Sequence, residues 1–127
     1  MDARGAWRCA LALPCEPETP AVARGFVVGH LRRHELVPLI EDVRLVTSEL
    51  VTNAVTHAGT EVTVSIEQNA AVVTLTVQDG SSLVPRMSPD DLWAPSGRGL
   101  MLVAALSSDW GVLTGSAGFK SVWASFL

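Results

Sequence analysis

The sequence predicts an α+β chain, a two-layer α/β sandwich in which helices lie on one face of a mixed, mainly antiparallel sheet. Three observations predict it. Apolar residues recur at helical spacing along 38–58, and more briefly along 19–34 and 100–106. Strict apolar/polar alternation over 61–67 and again over 73–79 marks two half-buried strands. A length of 127 residues with 48% hydrophobic composition is enough for one sizeable core and short for two, so residues 1–127 read as a single domain.

In chain order, Trp7, Cys9, Leu11 and Leu13 share one face of a strand that stops at Pro14. Thr19 before Pro20 reads as an N-cap with proline at the first helical position, opening a helix that runs to about His34, with Val22, Phe26, Val27 and Leu31 on its inner face. Pro38 opens a second helix. Its stripe of Ile40, Val43, Val46, Thr47, Leu50, Val51, Ala54, Val55 and Ala58 ends at Gly59. Val62, Val64 and Ile66 form one strand face, and Val73, Leu75 and Val77 another. With Gln68-Asn69-Ala70 between them, the two strands make an antiparallel hairpin. Residues 81–96 contain Pro85, Pro89 and Pro95 and little periodicity, and they read as a lid with a short helical turn inside. Residues 100–106 form a short helix. Two closing strands over 110–114 and 119–126 flank a turn at 115–118.

A net charge of −4, with Arg32-Arg33 as the only basic cluster, argues against a surface for the nucleic-acid backbone. Cys9 and Cys15 are not at a metal-ligand spacing with any histidine, and Cys9 reads as a small buried hydrophobe. No stretch has the pattern of a signal peptide or the length of a membrane span, so the expected compartment is the cytoplasm, without membrane contact.

Glu49 and Asn53 are four residues apart on the second helix, which puts both on one side, opposite the apolar stripe. An amide oxygen can complete a magnesium shell, and a carboxylate can polarise an attacking hydroxyl or water. A Glu/Asn pair at this spacing also arises on ordinary solvated helix faces. Asp79 continues the inward parity of Val73, Leu75 and Val77, so a donor must meet its carboxylate. An adenine amino group would serve, although Asp79-Gly80 also suits a plain turn leaving a strand. Gly97-Arg98-Gly99 opens the short helix, where backbone amides and the helix N-terminus suit a phosphate; a hinge would use the same residues. His57 is placed to orient Asn53 or to serve as a structural histidine near the helix end.

The run Ser48-Glu49-Leu50-Val51-Thr52-Asn53-Ala54-Val55-Thr56-His57-Ala58 resembles the N box of the histidine-kinase-like (GHKL) ATPases. More narrowly it resembles the anti-sigma-factor serine/threonine kinase branch of that family. Val77-Gln78-Asp79-Gly80 is similar to the adenine-binding Asp box, and Gly97-Arg98-Gly99-Leu100 to the second glycine box. The likeness extends from the first strand through Lys120-Ser121-Val122-Trp123. It implies a Bergerat-type fold binding ATP and Mg2+. Glu49 would be the base, Asn53 the magnesium ligand and Asp79 the partner of the adenine amino group. Gly97, Arg98, Gly99 and Leu100 would lie at the phosphates, and Ser121 near the adenine. Two departures stand out: the Asp box continues as Ser81-Ser82 rather than Asp-x-Gly-x-Gly, and the lid is short and proline-rich. The resemblance further implies an ATP-binding anti-sigma factor regulatory protein that phosphorylates a serine or threonine of an anti-sigma antagonist. Its partners would be a sigma factor and that antagonist, and it would form a homodimer. A second reading is a catalytically silent ATP-binding module that sequesters a partner protein.

Overall fold

The helices and strands follow the apolar periodicities closely. In the computed structural model, which describes residues 6–80, 98–115 and 118–127, the order is β1 (Ala6–Leu13), α1 (Thr19–Arg33), a 3-10 turn (Val37–Leu39) and α2 (Ile40–Ala58). There follow β2 (Val62–Asn69), β3 (Val72–Asp79), α3 (Arg98–Leu106), β4 (Asp109–Thr114) and β5 (Lys120–Phe126). The lid expected at 81–96 and Gly97 lie outside the described residues.

Five strands form one sheet in the order β1-β2-β3-β5-β4. Among the described residues every pairing is antiparallel, so the parallel component of the expected mixed sheet does not occur there. The topology gives the reason. The connection through α3 joins β3 to β4, two strands running in the same direction, but β5 returns from β4 into the slot between them and pairs antiparallel with both.

The core lies between one sheet face and the helices. Val62, Val64 and Ile66 of β2, Val73, Leu75 and Val77 of β3, and Ala124 and Phe126 of β5 are buried against Ala23, Val27 and Leu31 of α1 and the stripe of α2. In that stripe Ile40, Val43, Val46, Thr47, Leu50, Val51 and Ala54 are buried as the spacing predicts. Buried Thr47 satisfies its hydroxyl within the helix by donating to the Val43 carbonyl at 2.7 Å. Gly59 then ends α2 at φ 65°, a left-handed conformation that favours glycine. Cys9 packs at the edge of the core, in line with its reading as a small hydrophobe.

Two local expectations change at α1. Thr19 is the first helical residue rather than the cap. Its hydroxyl donates to the Pro14 carbonyl and accepts from the Glu16 amide, so it fastens the turn after β1. Val22 is exposed and Ala23 takes its place inside, because the buried positions Thr19, Ala23, Val27 and Leu31 follow a strict four-residue step along the contact with α2.

Candidate functional site

Asp79 is the last residue of β3, and Lys120 is the first of β5. The register puts them directly opposite each other, with Val62 on the other side of Asp79. Parity sends the Asp79 side chain to the core face, in line with Val73, Leu75 and Val77, and sends Lys120 there with Val122, Ala124 and Phe126. The carboxylate is 1% exposed and the lysine side chain 15%, and Lys120 Nζ lies 3.4 Å from Asp79 Oδ2. Coulombic attraction across so short a gap works against the desolvation of both charges, and removing one partner of a buried pair costs about 3–5 kcal/mol.

The end of α2 is fixed to the same end of the sheet. After Gly59, the Thr60 hydroxyl accepts a hydrogen bond of 2.9 Å from the Gly80 amide, the residue directly after Asp79. Asn53 sits five residues before the last residue of α2 and Glu49 one turn earlier, so Asn53 is roughly 7–8 Å along the axis from the helix end. Both are half-buried, flanking the apolar stripe rather than opposing it. Among the described residues neither side chain has a hydrogen bond or ion pair, and neither has a polar atom sealed from solvent. A carboxylate and an amide therefore stand one turn apart on the helix whose end is bonded to the residue after Asp79.

Six further candidates take varied positions. Leu100 is half-buried and packs against the core from α3, and Arg98 and Gly99 form the first turn of that helix, as expected for a helix-opening motif. Gly97 falls outside the described residues. Ser121 is not brought to Asp79. It lies on the opposite face of β5, where its hydroxyl donates to Gln78 Oε1 at 3.3 Å. Consecutive strand residues point to opposite faces, so the residue next to it, Lys120, takes the place beside the carboxylate. His57 is exposed in the last turn of α2 and has no hydrogen bond to Asn53 or to any other group among the described residues.

Lys120 is the site residue that the sequence reading did not place. The signal was present in part, because the two-residue step back from Phe126, Ala124 and Val122 arrives at Lys120. The pairing of β5 with β3, which sets Lys120 against Asp79, is a tertiary fact.

Hard oxygen donors at Glu49 and Asn53, an acceptor at Asp79 and a helix opening at Arg98 suit a phosphorylated ligand with an accompanying divalent cation. Among the described residues no cluster of three or more His, Cys, Asp or Glu side chains could hold a metal by itself, so such a cation would share its shell with ligand oxygens and water. Residues 13–126 match the family model of the histidine kinase-like ATPase domain. No curated protein matches the chain.

Proposed function

We propose, because the chain belongs to the histidine kinase-like ATPase domain family, that this ATP-binding domain is an anti-sigma factor regulator that transfers the γ-phosphate of ATP to a serine or threonine of a small antagonist protein. The observation that carries the reading is the pair on α2. Glu49 and Asn53 stand one helical turn apart, half-buried and without hydrogen-bond partners among the described residues, on the helix whose end is tied to Asp79 through the Thr60–Gly80 bond.

In this reading Asp79 accepts the amino hydrogen bond of the adenine, and Asn53 supplies an amide oxygen to magnesium. Magnesium held there would supply charge neutralisation for the phosphates. Glu49, on the same flank of the helix, orients the attacking hydroxyl and takes its proton as the new phosphate ester forms. The amides opening α3 face phosphate oxygens. Phosphoryl transfer asks chiefly for positioning and charge neutralisation, so this small set suffices. The partners proposed are the antagonist that accepts the phosphate and the sigma factor whose availability the exchange controls, with the chain acting as a homodimer in the cytoplasm.

Glu49→Ala tests the assignment. A general base contributes roughly 100- to 10,000-fold to rate and little to ground-state affinity. The variant is expected to bind magnesium-ATP nearly as the parent does, while its slow ATP hydrolysis and its labelling of an antagonist with radiolabelled γ-phosphate fall by at least the lower figure. A parent that binds ATP yet neither hydrolyses it nor labels any antagonist would replace the kinase by the sequestering module, with ATP as a conformational ligand.

A further inference from the structure

We propose that Lys120 is a base-reading residue of the nucleotide site, donating a hydrogen bond from Nζ to ring nitrogen N1 of the adenine while Asp79 accepts from the exocyclic amino group. The inference rests on the nucleotide-site reading above and adds a second point of recognition to it. Asp79 and Lys120 are cross-strand partners on the core face of the sheet, and their heads are 3.4 Å apart. A carboxylate oxygen and an ammonium at that distance present a hydrogen-bond acceptor and a donor side by side. The matching edge of adenine carries the complementary pair, an amino donor next to the N1 acceptor.

Two features of the pair support a reading role over a purely structural one. The gap of 3.4 Å exceeds the roughly 2.7–2.9 Å of a fully formed charge-assisted hydrogen bond, so the ammonium stands beside the carboxylate rather than locked on it. An ammonium has three N–H donors and can direct one to a ligand while keeping its electrostatic contact with Asp79. Lys120 is also the more exposed member, so a base that reaches the deeper carboxylate passes within reach of the lysine head. Ser121 cannot take this place, because it faces the other side of the sheet.

The test compares ATP with 1-deaza-ATP, in which a C–H replaces N1 and the amino group remains. Titration calorimetry on the unmutated chain is expected to show ATP binding roughly 10-fold or more tightly than the deaza analogue, the scale of one hydrogen bond from a charged donor. In Lys120→Met the two nucleotides should bind equally. Because that variant removes one charge of a buried pair, Lys120→Met/Asp79→Asn, in which both charges of the pair are removed, provides the same comparison in a second background. Equal binding of both nucleotides by the parent, or a preference that survives removal of Lys120, overturns the assignment and leaves the ATP site standing. Failure of the parent to bind ATP overturns the site itself.

Discussion

His30, half-buried on α1, has its Nδ1 shielded from solvent without a hydrogen-bond partner among the described residues. Its ring meets Phe26 edge-on at 4.8 Å between centroids and lies beside Trp7, whose indole is stacked flat on His34 at 3.8 Å and donates from Nε1 to Gln68. Burial first, and then the charges of Arg33 and His34, hold the His30 pKa below its ordinary value of 6.5. The neutral ring is therefore the form that the fold favours. A pKa depressed in the folded state contributes stability above the unfolded value, and that contribution is lost as pH falls through the folded one. Denaturant titrations should show stability declining below about pH 6.5, before the carboxylates titrate near pH 4. His30→Leu should flatten that part of the profile, and an unchanged slope would place the proton elsewhere. Neither this histidine nor Lys120 stood out among the residue types of the sequence, because both owe their environment to neighbours on another element.

The β2–β3 hairpin shows what one turn residue does to an element. The strands pair from Val62 opposite Asp79 to Asn69 opposite Val72, so the loop is the two residues Ala70 and Ala71 rather than the three expected from the alternation. Ala70 closes it at φ 55°, a left-handed conformation in which the Cβ of alanine is strained. Ala70→Gly should relieve roughly 1 kcal/mol of that strain and return part of it through the greater flexibility of glycine in the unfolded chain. The expected result is a rise of about 1–4 °C in melting temperature. A fall would mean that the turn takes no strain from the side chain. The adjacent hairpin uses glycine by another route: a Cβ on Gly111 would come within 2.8 Å of the Trp123 indole, so the missing side chain lets the ring lie across β4. Element identities were legible because each strand and helix carries its own period. The loop length, the helical place of Thr19 and the exposure of Val22 were not, because each depends on what packs alongside.

At the scale of the whole domain, a ligand that binds only the folded state raises its stability by about 2.7 kcal/mol at a free concentration of 100 times its dissociation constant. The chain has a net charge of −4, and if it holds a triphosphate through Asn53 and a few donors, that gain should depend on magnesium. Thermal unfolding should therefore move up by several degrees with magnesium-ATP and much less with ATP in chelator, while adenosine should be indifferent to the metal. Asn53→Ala should behave in magnesium as the parent does in chelator. Equal shifts with and without metal would take Asn53 out of the phosphate site and leave the triphosphate to the amides opening α3. No helix among the described residues is long and apolar enough to cross a membrane.

The sequence by itself determined the elements, the stripe of α2 and the inward direction of Asp79, because these follow from periods of 3.6 and 2 that each segment carries within itself. It also placed Glu49 and Asn53 on one side of one helix, since four residues along a helix make neighbours without help from the rest of the chain. Strand order is different: the insertion of β5 between β3 and β4 is a choice of partners distant in sequence, and local pattern does not encode it. That choice decided which residue faces Asp79. It turned Ser121 to the far side with Gln78 and brought Lys120 to the buried carboxylate, because side chains alternate along a strand and a register shifted by one residue would have exchanged the two.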